Sequence, residues 1–136
     1  TYLHGNGKIG VIVKLAFDKT DAADSEEVLE LGKDIAMQVA AANPMAANVE
    51  NVSEAVVAKE KEIYFTQAKT SGKPEKIWDK IVEGKLEKFY QEVVLVKQAF
   101  IKRPEISIIE RVSETEKSTG AKIKVLDFIR LQLGAE

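Results

Sequence analysis

The stretch "HGNGKIGVIVKLAF", residues 4–17, decides how the chain is read. Gly5, Gly7 and Gly10 have the G-x-G-x-x-G spacing of a phosphate-binding loop. In a dinucleotide-binding fold such glycines follow a strand and open a helix, whose N-terminus holds the pyrophosphate. Here they precede an alternating run. Ile9, Val11, Val13, Leu15 and Phe17 fall on one face of a strand, with Lys8 and Lys14 on the other. That alternation leaves no room for the helix. A protein-kinase glycine loop does lie between two strands, but it requires a His-Arg-Asp loop and an Asp-Phe-Gly segment. Neither occurs, and the single histidine is His4. What remains is Asn6-Gly7, a strong hairpin signal because both residues tolerate positive φ. The glycines shape a turn between two strands.

A second alternating stretch, "AKIKVLDFIRLQL", lies near the other end. Ile123, Val125, Ile129, Leu131 and Leu133 are expected on one face. Asp127 interrupts that set and marks a bulge or an edge position. The two strands predict an antiparallel sheet with one covered face.

Between them the apolar period changes from two to between three and four. In "DSEEVLELGKDIAMQVAAANP", Val28, Leu31, Ile35, Val39 and Ala42 mark one face of a helix. Asp24 with Glu27 has the capping-box spacing, and Asn43-Pro44 stops the helix. Two further helices, together about residues 53–92, are separated by Gly72-Lys73-Pro74, the punctuation of a helical hairpin. Val56, Val57, Ile63, Tyr64 and Ala68 form a narrow stripe on the first arm. Ile77, Trp78, Ile81, Val82 and Phe89 do so on the second. Such stripes suit two arms zipped together and protruding by roughly 25 Å. After the apolar connection "VVLVKQAFIKRP", Ser107 and Glu110 form a capping box that opens a short helix, closed by Gly120. The order is strand hairpin, helix, helical hairpin, helix, strand. This is an α+β fold in a single domain over residues 1–136, with no internal repeat.

Composition narrows the function classes. A net charge of −2 gives no long-range attraction to nucleic acid or anionic lipid. No apolar run approaches a membrane span. Without cysteine there is no disulfide, no thiolate nucleophile and no Cys-type zinc site. The chain opens on Thr1 rather than Met, which fits a processed form or an excised piece.

Candidates for chemistry are few. His4 has no serine or cysteine nucleophile in an evident motif, and a histidine flanking a turn is more often structural or a contact residue. Asp18, Asp21 and Asp24 are spaced like a loose calcium loop, but the glycine and distal glutamate of an EF-hand are misplaced. An acidic loop entering a helix N-terminus accounts for them, and neither metal nor cofactor is expected. Trp78 and Phe89 suit either a partner surface or the hairpin seam. Lys73, Lys76, Lys80, Lys85 and Lys88 could contact a partner, but interspersed Glu75, Asp79, Glu83 and Glu87 make a solvated face the default. Direct nucleic-acid binding is therefore not expected. The residues point to a module that acts by surface rather than by catalysis.

Four blocks, "YLHGNGKIGVIVKL", "DIAMQVAAANP", "SGKPEKIWDKIVEGKLEKF" and "VLVKQAFIKRP", resemble in order and spacing the C-terminal part of the elongation factor Ts family. The resemblance runs nearly end to end. It implies a three-stranded antiparallel sheet packed on helices. It also implies a non-catalytic role, as the guanine-nucleotide exchange factor of elongation factor Tu, in a bacterial cytoplasm or an organellar matrix. The implied partner-contacting residues are His4, Gly5, Asn6 and Gly7. Trp78 and Lys85 are further candidates on the hairpin, and dimer contacts occur in some members. Phe100 and Ile101 are expected to pack. Ala99 stands where the family usually has proline. The family's N-terminal helical domain and its "TDFV" segment, which intrudes beside the partner's magnesium site, are absent from these residues. Docking rather than efficient exchange is the expectation. A homodimer formed through the hairpin or the sheet edge is the alternative.

Overall fold

The computed structural model describes residues 1–134. Strands β1 (Tyr2–His4) and β2 (Ile9–Phe17) form the first hairpin. Helix α1 (Glu26–Ala42) follows, then α2 (Glu54–Thr70) and α3 (Trp78–Val93). A short hairpin, β3 (Ala99–Phe100) and β4 (Arg103–Ser107), leads into α4 (Ile108–Thr119) and β5 (Ile123–Gln132). β1, β2 and β5 make an antiparallel sheet with β2 in the centre. The α+β architecture and the helical hairpin agree with the sequence reading.

The inner face of the sheet packs on α1 and α4. Val11, Ile123 and Val125 join Leu31, Ile35, Val39, Phe100, Ile108 and Val112 in one buried core. Burial of this set is the main stabilising term, at about 25 cal/mol per Å² of apolar surface. The expected face of the last strand is only half right. Lys14 pairs with Asp127 and Leu15 with Val125, so Leu126 is an extra residue in β5. One inserted residue reverses the side-chain alternation beyond it. Ile123 and Val125 point inward as expected. Past the bulge Phe128 and Arg130 turn toward the helices instead, and Ile129, Leu131 and Leu133 are 55%, 70% and 74% exposed.

Helix α1 buries Val28, Leu31, Ile35 and Val39, as the periodicity predicts, but Ala42 is exposed. Its cap differs as well. Thr20–Asp24 forms a short 3-10 turn, which consumes Asp24, and the Ser25 hydroxyl accepts the Val28 N–H at 3.3 Å. Asn43 ends the helix in the left-handed region at φ 47°. At α4 the Ser107–Glu110 capping box and the Gly120 terminus, φ 70°, form as read.

The arms α2 and α3 pack along their stripes, with Ala68 buried in the seam. Ile63, on the same arm, is 41% exposed. A 3-10 turn, Glu75–Ile77, separates Pro74 from the start of α3. The root of the hairpin is tied to the core by backbone bonds: Met45 N–H to the Val93 carbonyl at 2.7 Å, and Leu95 N–H to the Ala46 carbonyl at 2.8 Å. A second, smaller apolar cluster of Ala46, Val52 and Val94 sits there, with Val56, Val57 and Tyr90 packed against it.

The apolar connection after α3 is ordered by α1. Gln38, buried, donates to the Ala99 carbonyl at 3.0 Å and to Gln98 Oε1 at 3.2 Å, and accepts the Ile101 N–H at 2.9 Å. Ala99 is thereby held without a proline ring. Phe100 is buried, but Ile101 does not pack as expected; it is 46% exposed.

Candidate functional site

The turn between β1 and β2 is built by three consecutive residues of positive φ: Gly5 at 63°, Asn6 at 59° and Gly7 at 81°. An added Cβ at Gly5 or Gly7 would meet no atom within 4 Å. These glycines are therefore required by backbone conformation, not by crowding. The Lys8 N–H closes the loop on the Gly5 carbonyl at 3.2 Å, and the Lys8 carbonyl accepts the Leu133 N–H at 2.8 Å. The turn is pinned at both ends while Gly5, Asn6 and Gly7 stand exposed.

His4 is the last residue of β1, opposite Ile9, and is half-buried on the inner side of the sheet. Its Nδ1 lies 3.0 Å from the Tyr2 hydroxyl, the two rings 5.8 Å apart and tilted by 39°. Period-2 alternation places residues i and i+2 of a strand on one face, so this pair follows from a strand over residues 2–4. Sequence reasoning singled out His4 and missed Tyr2, although that spacing was the signal for it. The imidazole edge and the turn backbone place hydrogen-bonding groups together at this end of the sheet.

The hairpin candidates sit between the arms. Trp78 is half-buried, its indole N–H donates to the Lys73 carbonyl at 2.9 Å, and its ring meets Phe65 edge-on at 5.8 Å. Lys85 donates to Gln67 across the seam, with its ammonium 6.0 Å from the centre of the Tyr64 ring. Desolvation in the seam, with Glu60 beside it, pushes the Tyr64 hydroxyl up to about 12. These residues are far along the hairpin from the His4 turn in sequence, and the fold does not gather them into one cluster with it.

Asp18, one of the three spaced aspartates, accepts the Lys122 N–H at 2.7 Å and so clips the end of β2 to the approach to β5. Among the described residues no group of three or more His, Asp or Glu is placed to hold a metal ion. Among the described residues no helix is long and apolar enough to cross a membrane.

The outer face of the sheet is a second candidate surface, one the alternation alone did not reveal. Leu3, 74% exposed, lies across Gly10 from Leu131, and Ile12 pairs with Ile129 in the next row. Leu133 extends the strip beside Lys8. Lys14 and Asp127 flank it as a cross-strand pair. A shallow apolar depression of about 290 Å³ opens between Ile12, Val13, Phe128 and Ile129.

The sequence matches the family model described as "Elongation factor TS" over residues 1–135. A protein named elongation factor Ts from Syntrophus aciditrophicus (strain SB) is 46% identical over 136 residues, covering all of this chain and 68% of the relative. Its namesake from Syntrophobacter fumaroxidans is 43% identical over 135 residues, again covering 68% of the relative. A third, from Desulfovibrio desulfuricans, is 47% identical over 135 residues, and there the chain spans 47% of the relative's length. With the match unbroken from the β1–β2 turn through the hairpin to the final strand, the chain belongs to the elongation factor Ts family.

Proposed function

We propose that this chain is the partner-docking part of a guanine-nucleotide exchange factor acting on elongation factor Tu. The single observation that carries the reading is the family match over residues 1–135. The pinned, projecting turn His4–Gly7 supports it as a contact point. The action is binding alone. A protein that prefers the nucleotide-free state of a GTPase weakens GDP binding by the same factor by which GDP weakens its own binding. No bond is made or broken. These 136 residues contain no Thr-Asp-Phe-Val segment, so docking is their part and disturbance of the magnesium site is not.

The test is a titration of the chain into nucleotide-free elongation factor Tu at low salt. Micromolar or tighter binding that GDP suppresses is expected, with little acceleration of GDP release. Absence of binding at micromolar concentration would sink the reading.

A second reading is favoured by the outer sheet face: a second copy of this chain covers it. Leu3, Ile12, Ile129, Leu131 and Leu133 form an exposed apolar strip, and such strips on soluble proteins mark interaction sites. Lys14 beside Asp127 makes the rim self-complementary, since a two-fold axis can bring each lysine to the other copy's aspartate. Sedimentation at several concentrations tests this. A concentration-dependent dimer abolished by Leu131→Asp supports it; a strict monomer removes it.

A further inference from the structure

We propose that Tyr2 is a positioning residue for His4: its hydroxyl fixes the imidazole so that Nε2–H is the donor offered to the partner. This rests on the docking reading of the turn. The pair is 3.0 Å apart, Tyr2 Oη to His4 Nδ1. Two proton arrangements fit that distance. Either the phenol O–H donates to a bare Nδ1, or Nδ1–H donates to the phenol oxygen. The chemistry favours the first. A phenol is a better donor than acceptor, because its lone pair is drawn into the ring, and a bare imidazole nitrogen is a strong acceptor. The hydrogen bond made by one ring nitrogen sets which nitrogen carries the proton, and so the other becomes Nε2–H.

The backbone makes this hold firm. Tyr2 and His4 are two residues apart on β1, and their partners Val11 and Ile9 are two apart on β2. Tyr2 is half-buried and packs against the main core through its ring. The tyrosine is thus anchored by the sheet and the core, and the histidine at the lip of the turn is anchored by the tyrosine. A fixed Nε2–H at the lip suits a partner group that accepts, a backbone carbonyl or a carboxylate. A donor held in place before binding also loses less rotamer freedom when the partner arrives.

His4 is the only histidine, so its ring nitrogens can be observed without assignment. In the whole chain at neutral pH, nitrogen NMR should show a protonated Nε2 and a hydrogen-bonded, bare Nδ1. Tyr2→Phe should move the Nδ1 resonance to that of a nitrogen with a free lone pair. A protonated Nδ1 in the wild-type chain overturns the proposal.

Binding to nucleotide-free elongation factor Tu gives the second readout. Tyr2→Phe is expected to weaken it about five-fold, the scale of one neutral hydrogen bond. The same change should have no further effect in a His4→Ala background. His4→Gln, whose amide nitrogen can stand where Nε2 does, should retain more affinity than His4→Asn. An equal loss from Tyr2→Phe with and without His4 shows that Tyr2 acts on its own and overturns the proposal, as does better binding by His4→Asn. If His4→Ala binds as tightly as wild type, contact through His4 fails and the role of Tyr2 in docking fails with it. A wild-type chain that does not bind at all instead removes the docking reading, and the nitrogen spectrum still judges the Tyr2–His4 bond.

Discussion

Arg130, near the end of β5, caps the C-terminus of α1 by donating to the Ala40 carbonyl, from Nη2 at 3.1 Å and from Nε at 3.3 Å. The carbonyls of a last helical turn lack intrahelical partners and carry partial negative charge, so a guanidinium there is doubly favourable. Arg130→Leu should destabilise the chain by about 1–2 kcal/mol. Urea unfolding checks this as a lower midpoint with an unchanged slope.

Leu126 is an extra residue in β5, and it sets which residues beyond it share the face of Val125: Phe128 and Arg130 rather than Ile129 and Leu131. Deleting Leu126 should turn the bulge into a regular ladder that keeps Leu15 opposite Val125 and Lys14 opposite Asp127, so Phe128 and Arg130 stay on the helices and Ile129 and Leu131 stay outside. Such a variant should lose less stability than Arg130→Leu. A larger loss, read from the same unfolding curves, would mean that the strand needs the bulge itself.

Asp34 on α1 is buried between two cations: its Oδ2 accepts Arg111 Nε at 3.1 Å, and its Oδ1 accepts Lys102 Nζ at 2.7 Å. Arg111 also donates to Thr115 at 2.8 Å. This group joins α1, α4 and the β3–β4 hairpin. Asp34→Ala leaves the Arg111 guanidinium buried beside a void and should cost about 3–5 kcal/mol. Asp34→Ala with Arg111→Met should recover a large part of that loss, which a double-mutant cycle measures.

Glu114 on α4 shows the acid dependence of a surface pair. The hydrogen-bonded Arg103 guanidinium holds its carboxyl below the ordinary carboxylate range. A lowered folded value means that its contribution is present above the unfolded carboxylate pKa and is lost as pH falls through the folded one. Both side chains are exposed, so the effect is small and screened by salt. Glu114→Gln should therefore lower stability slightly at neutral pH and low salt, with the difference from the wild type disappearing as pH falls through the folded carboxyl value. The difference should vanish at high ionic strength.

The hairpin has its own small apolar cluster, separate from the core around α1. Elements with few buried apolar contacts open at lower free energy than the core. Hydrogen exchange should therefore be faster along α2 and α3 than in α1, whose Leu31, Ile35 and Val39 are fully buried. The single tryptophan gives a second measure. Trp78 reports the packing against Phe65, so its fluorescence should change in an early step on heating, before the far-ultraviolet signal of the core. Coincident transitions would show instead that the hairpin and core unfold as one unit.

Much of this was legible because its cause is local. The Asn6-Gly7 turn needs positive φ, which few residues tolerate. The Ser107–Glu110 box and the Gly120 terminus close within one helical turn. The α1 stripe needs only period 3.6. The Asp24–Glu27 box was misread because Ser25 is an equally good cap, and the neighbouring 3-10 turn decided between them. Ile101 was misread because Gln38, more than sixty residues earlier, binds its N–H and leaves the side chain outside.

By itself the sequence determined the main helices and the sheet strands, their order, the hairpin arms and the family, since each depends on residue spacing along the chain; the short β3–β4 hairpin was not read from it. Only the tertiary structure decided which face of β5 is buried, where Arg130 points and how Asp34 and Gln38 are satisfied. The physical reason is one of range. A strand's alternation can be read from its residues, but whether that alternation is interrupted depends on the partner strand, where Lys14 meets Asp127 and Leu15 meets Val125.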